Sequence, residues 1–318
     1  MEDARFSRRA LSLGMAAMSG GLAASAAAGA VPADAAMVRG APGLRMAYVD
    51  SPLGQLHYRH AGAGPALVML HWAPASGRQY EPVMPYFAGA GLTPLAFDLP
   101  GYGRSCKARR GFSVEEMAEA LLSAVTALGH REFHLLGGHL SASVAACMAV
   151  MAPRRVRTLT LDGVLLLEPE EWTALLARFA GKSPMPSARS DYRSFPFDMT
   201  VETLREWNPD FILDETTLEA VYDLLNDYME MGLAPMRAFV EPDDKAPPPF
   251  DLASALKALR VPTLTLSAAR EPLRASFQRV TKLISGAEGH SFPGTHPLVT
   301  AGQAEGYASR ILAHIRKG

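Results

Sequence analysis

Leu135-Leu136-Gly137-Gly138-His139-Leu140-Ser141-Ala142-Ser143-Val144-Ala145 joins an apolar strand to an apolar helix through a run of small residues. Phe133 to Leu136 supply the strand, and Val144-Ala145-Ala146-Cys147-Met148 carries the helix onward. A tight strand-to-helix elbow of this kind presents one side chain at its tip. The positions two before and two after the tip must be small, because the sharply bent backbone leaves little room for Cβ atoms. With His139 at the tip those places fall to Gly137 and Ser141. With Ser141 at the tip they fall to His139 and Ser143, and the helix starts two residues late. The first register fits better, and it sets an imidazole at the tip.

Outward from the elbow, short apolar strands alternate with amphipathic helices. Met46 to Val49 and Gln55 to Arg59 read as a hairpin around Ser51-Pro52-Leu53-Gly54. Ala66 to His71, Thr93 to Phe97, Val156 to Leu161 and Val261 to Ser267 are continuous apolar runs, the pattern of strands buried on both faces. Helices are predicted over Gly77 to Ala88 and from Ser113-Val114-Glu115-Glu116, a capping-box start, to about Leu128. This alternation predicts an α/β fold with a mostly parallel sheet covered on both sides.

The alternation stops between residues 166 and 250. That stretch is rich in aromatics and Met, with helix-like segments at Glu170 to Phe179, Val201 to Trp207 and Thr216 to Met231, and it ends at Pro247-Pro248-Pro249. It reads as an inserted helical cap on a core made of residues 37–165 and 251–318. Trp172 and Tyr192 are its candidate substrate-binding side chains. Residues 1–36 read as a leader: Phe6-Ser7-Arg8-Arg9-Ala10-Leu11-Ser12-Leu13 resembles a twin-arginine export signal, followed by a weakly apolar Ala/Gly/Met run. The expected destination is the periplasm or the medium, with no membrane attachment once the leader is removed.

The 318 residues are 48% hydrophobic and 20% charged, enough for one large domain with an insertion. A net charge of -1 gives no electrostatic footprint for nucleic acid. Cys106 and Cys147 are the only cysteines and read as unrelated thiols. No metal-ligand spacing and no phosphate-binding glycine loop occurs, so no metal and no cofactor are expected. The oligomeric state is not legible.

Several local patterns follow one another in a recognisable order. His71-Trp72-Ala73-Pro74 comes after the third strand, and Phe97-Asp98-Leu99-Pro100-Gly101-Tyr102-Gly103-Arg104-Ser105 after the fourth. The elbow follows the fifth, then a strand ending at Asp162, the cap, Arg270-Glu271-Pro272-Leu273, and Phe292-Pro293-Gly294-Thr295-His296. The set resembles the α/β-hydrolase superfamily, in its capped epoxide-hydrolase-like and esterase-like form, from about Met46 to Ile315. That resemblance implies the chain order nucleophile, acid, histidine. It puts His139 at the nucleophile place, Glu271 at the acid and His296 at the histidine. Asp162 is the alternative acid, since some members take it from the strand after the elbow. The resemblance also implies an oxyanion site formed by the backbone N–H groups of Trp72 and Leu140, with His71 and Trp72 beside the substrate, although His71 reads first as a residue that orients its own loop.

An imidazole at the tip changes the expected chemistry. Direct attack on a carbonyl would give a high-energy acyl-imidazole, whereas two histidines suit proton transfer at neutral pH. The expectation is an enzyme of the hydrolase or lyase class, acting on a small, largely apolar molecule by His139/His296 acid-base chemistry. The alternatives are a non-catalytic small-molecule-binding protein of the same fold and a cofactor-free oxygenase.

Overall fold

The computed structural model describes residues 43–107, 111–179, 195–208, 210–215, 217–232, 250–271, 273–294, 296 and 303–318. The twin-arginine segment, Tyr192 and Pro247 to Pro249 lie outside the described residues. Eight strands form one sheet in the order β1-β2-β4-β3-β5-β6-β7-β8. These are β1 (Arg45–Ser51), β2 (Gly54–His60), β3 (Ala66–Leu70), β4 (Thr93–Phe97), β5 (Phe133–Gly138), β6 (Val156–Asp162), β7 (Thr263–Ala268) and β8 (Glu288–Phe292). β1 and β2 form the expected hairpin, and β2 runs antiparallel to β4. From β4 to β8 every pairing is parallel.

The continuous apolar runs are strands with both faces covered. On β3, Ala66, Val68 and Leu70 face one core cluster, and Leu67 and Met69 face the other. α1 (Met84–Gly89) and α9 (Ala304–Ile315) cover the second face through Met84, Phe87, Tyr307 and Ile311. α2 (Val114–Ala127), α3 (Leu140–Met151), α7 (Leu252–Ala258) and α8 (Arg274–Leu283) cover the first. α2 begins with the predicted capping box: Glu116 N–H donates to Ser113 Oγ at 3.1 Å, and Ser113 N–H donates to the Glu116 carboxylate at 2.9 Å.

The helix predicted over Gly77 to Ala88 is broken in two, a 3-10 turn at Gly77–Tyr80 and then α1. Pro82 and Pro85 are the cause, since proline lacks an amide hydrogen and disfavours helical geometry in the residue before it. Cys106 and Cys147 are both free thiols. Among the described residues no helix is long and apolar enough to cross a membrane.

In the stretch read as a cap, α4 (Pro169–Phe179), α5 (Phe195–Trp207) and α6 (Leu218–Glu230) are helical. Val201, Phe211 and Val221 form a small core of their own. α6 is tied to the loop after β3 through Asp227, which accepts Ser76 N–H and an Arg78 Nη1 hydrogen, each at 3.1 Å. Burial, against the opposing pull of Arg78, raises the Asp227 carboxyl to about 7.

Asp98, in the loop after β4, gathers the surrounding segments. It accepts His57 Nδ1–H at 2.9 Å, Arg59 Nη1 at 2.9 Å, Gly77 N–H at 2.8 Å and Arg104 N–H at 2.9 Å. Burial works against its charge, but His57, Arg59 and the Arg104 amide overcome that and hold it far below the usual carboxylate range. Gly103 has φ +44, and a Cβ there would meet the Asp98 carboxylate at 2.3 Å. Asp98→Ala should take from the buried Arg59 one of its two carboxylate partners, leaving Glu81, and strand two backbone amides, costing about 3–5 kcal/mol in urea unfolding; a loss under about 1 kcal/mol would show that water replaces the carboxylate.

Candidate active site

His139 stands alone between β5 and α3. Among the described residues it is the one non-glycine with positive φ, at φ 53 and ψ -120. Such a conformation costs on the order of 1–3 kcal/mol and persists only where neighbours enforce it. They do so here. Gly137 touches α3 so closely that a Cβ would lie 2.6 Å from Ala145 Cβ, and His139 N–H donates to Asp162 O at 2.8 Å.

Ser141 faces inward. Its Oγ accepts Gly138 N–H at 3.0 Å and lies 2.8 Å from Leu70 O and 2.9 Å from Gly138 O, with no exposed surface. Ser141 therefore closes the elbow as a structural hydroxyl.

His296 donates through Nε2 to Asp162 Oδ1 at 2.9 Å, and Tyr307 donates its hydroxyl to Asp162 Oδ2 at 2.7 Å. Burial raises the Asp162 carboxyl, yet the charge and hydrogen bond of His296 and the bond from Tyr307 bring it below its usual value. The acid at His296 is thus Asp162, and the expectation that Glu271 orients that ring is corrected. The reason is strand register: β6 pairs Asp162 with Gly138 at the end of β5, directly behind the elbow. Glu271 accepts instead from Ser267 Oγ at 2.6 Å. Burial and the nearby Asp162 charge push its carboxyl up to about 7, against the pull of His296.

Trp72 covers both histidines. Its indole stacks on His139 with ring centroids 4.0 Å apart and planes 12° from parallel, and it meets His296 edge-on at 4.7 Å. Gly138 makes this possible, since a Cβ there would fall 2.1 Å from Trp72 Nε1. His139, His296 and Trp72 are 4%, 1% and 7% exposed, so the rings are sealed from water in this conformation. Burial pushes the His139 imidazole down to about 3, with Asp162 opposing and His296 assisting, so the ring is neutral.

The other expected groups separate. The Trp72 N–H, expected to serve an oxyanion, donates to Gln79 Oε1 at 3.1 Å. Leu140 opens α3, where a backbone N–H finds no acceptor in its own helix. Both His71 nitrogens are engaged, Nδ1–H with Trp72 O at 2.8 Å and Nε2 with Leu99 N–H at 3.0 Å, so the ring holds its loop rather than a substrate. Trp172 is 38% exposed on α4. Tyr307 and Gln79 carry no motif in the sequence; their positions follow from how α9 and the 3-10 turn pack. Among the described residues no three His, Cys, Asp or Glu side chains are grouped to hold a metal ion.

The order of strands, the elbow and the acid-histidine pair agree with a match to the alpha/beta hydrolase fold family over residues 65–185. This chain has the α/β-hydrolase fold. Solved structures with the same fold include an esterase from Exiguobacterium antarcticum, at TM-score 0.68 and 16% identity over 86% of this chain and all of that one. The epoxide hydrolase CorEH aligns at TM-score 0.65 and 19% identity over 86% of this hydrolase-fold chain and 99% of that one. By sequence, the chain is similar to epoxide hydrolase B of Mycobacterium tuberculosis, 32% identical over 34% of this chain and 29% of that protein. It is also similar to 2-hydroxy-6-oxo-6-phenylhexa-2,4-dienoate hydrolase of Comamonas testosteroni, 28% identical over 51% of this chain and 55% of that protein. The aligned part spans about a third or less of the epoxide hydrolase and about half of the dienoate hydrolase.

A carboxyl raised on folding stabilises the fold fully below its unfolded value of 4.5, and that contribution fades as pH rises to about 7. Glu271→Gln should therefore match the parent protein near pH 4.5 and exceed it by up to roughly 3 kcal/mol above pH 7. Urea unfolding across that pH range is the measurement.

Proposed function

We propose that this hydrolase-fold protein is an enzyme that moves protons between His139 and the Asp162–His296 pair, without a serine nucleophile. The observation that carries the reading is the strained His139 at the elbow tip, backed by the Asp162–His296 hydrogen bond while Ser141 is turned into the core. Buried under the indole, His139 is a weak base, and it gains the strength to take a proton from water or substrate only when Trp72 leaves and the ring is solvated. His296, facing the Asp162 carboxylate, is suited to donate one to the departing group. Each such transfer typically contributes ~10²–10⁴ in rate. The substrate class is a small, largely apolar molecule beneath the cap. The favoured reaction is hydrolysis by activated water, with elimination or C–C cleavage open to the same proton inventory.

Access requires the Trp72 indole to leave His139. The stacked indole is also the observation that favours a second reading, a binding protein whose old reaction site is plugged. A panel of small aryl epoxides and 2-hydroxy-6-oxo-dienoates separates the two. On the first reading, His139→Ala and Asp162→Asn each lower kcat by ~10²–10⁴-fold, and a fluorophosphonate leaves the intact mass unchanged. Binding without turnover, equal in the parent and in His139→Ala, would favour the second. Stoichiometric labelling of Ser141 would sink both. We also propose that residues 1–36 direct export; fusion of that segment to a reporter, with Arg8 and Arg9 changed to Lys, tests it.

A further inference from the structure

We propose that the Trp72 indole stands where a flat aromatic substrate lies, and that Gln79 Nε2 is the donor that selects a neutral oxygen on it; the inference rests on His139 marking the reaction site. Gln79 belongs to the 3-10 turn after β3, Gly77–Tyr80. Its Oε1 accepts the Trp72 N–H at 3.1 Å. A backbone N–H can only donate, so the oxygen arm of the carboxamide faces it and the NH2 arm faces away. That arm is buried, and Nε2 has no hydrogen-bond partner among the described residues.

A buried NH2 group without an acceptor costs as much as a lost hydrogen bond, and each one in a native protein calls for a ligand, a water or a chemical role. Gln79 is anchored at the root of the side chain that covers His139. A rotation about the Trp72 side-chain bonds lifts the indole and leaves the backbone N–H, and with it Gln79, in place. The space so opened has the form of the indole. Its wall is the His139 ring, stacked at 4.0 Å with planes 12° apart, and its end is His296, met edge-on at 4.7 Å. Its floor is Gly138, where a Cβ would lie 2.1 Å from Trp72 Nε1. Such a slot takes a planar ring system, which stacks on the imidazole as the indole does.

The surrounding charges select the kind of oxygen. Asp162 is a buried carboxylate that holds His296 through Oδ1 and the His139 N–H through its backbone oxygen. Arg78, next to Gln79 in the turn, is committed to Asp227 and Glu230 of α6. An anionic head beside Gln79 would meet the Asp162 carboxylate with Arg78 already engaged, whereas a ketone, lactone or epoxide oxygen needs only one N–H. The Trp72 N–H, by donating to Oε1, polarises the carboxamide and strengthens the Nε2 donor.

Titration of the ¹⁵N-labelled full chain with 1-indanone and with indane, indole-shaped ligands that differ by one carbonyl oxygen, tests this. The ketone should move the Gln79 side-chain NH2 resonances, recognised as the pair missing in Gln79→Met, and indane should not. In Gln79→Met the ratio of the two dissociation constants should shift about tenfold against the ketone; ligand desolvation is common to both proteins and cancels. Gln79→Glu, which keeps an acceptor for the Trp72 N–H and replaces the NH2 arm, should show the same loss. Trp72→Ala, which vacates the slot and keeps the backbone N–H, should tighten both ligands and leave their ratio as in the parent. A ratio unchanged by Gln79→Met and Gln79→Glu, or Gln79 resonances unmoved by the ketone, overturns the donor role, as a resident water on Nε2 would do. Weaker binding of both ligands in Trp72→Ala overturns the slot. A Gln79-dependent ketone preference alongside full turnover in His139→Ala would remove the two-histidine reading and leave this site standing; His139-dependent turnover with a ratio indifferent to Gln79 would do the reverse.

Discussion

Asp162 is the point on which the site turns. Its backbone oxygen fixes His139 N–H, one carboxylate oxygen takes His296 and the other takes Tyr307. Three distant segments, the elbow, the loop after β8 and α9, thus meet on one residue at the end of a largely buried strand. A carboxylate without exposed surface is tolerated because each oxygen is hydrogen-bonded and an imidazole faces it. The carboxylate orients the His296 ring, and the backbone oxygen helps to hold the elbow at His139.

The elbow itself shows how packing sustains strain. A histidine at φ 53 is disfavoured, yet the surroundings leave no relaxed alternative: Gly137 is pressed on Ala145, Ser141 is locked to Gly138 and Leu70, and Gly163 backs the imidazole so closely that a Cβ would lie 2.6 Å from its ring. Trp72 then lies flat on the exposed side of the ring. The result is a neutral imidazole held between glycine and indole. The loop bearing Trp72 is restrained from two directions, by Asp98 through Gly77 and by Asp227 of α6 through Ser76. α6 and the loop that carries Trp72 are thus joined by hydrogen bonds.

Much of this was legible in the chain because it rests on local rules. Period and apolar runs determined the strands and their burial, Ser113 and Glu116 announced α2, and the need for small residues beside a bent backbone chose His139 over Ser141 as the tip. Those are properties of neighbours in sequence. The choice between Asp162 and Glu271 was not of that kind: both follow strands, both are acidic, and the partner of His296 depends on which strand end lies behind the elbow. Parallel register, with Gly138 opposite Asp162, made that decision. Likewise, no local pattern says that Gln79 takes the Trp72 amide, that Tyr307 reaches Asp162 across 145 positions, or that an indole comes to rest on His139. Those contacts arise only when separate elements pack, since hydrogen-bond partners and ring stacks depend on distances that the sequence does not encode locally.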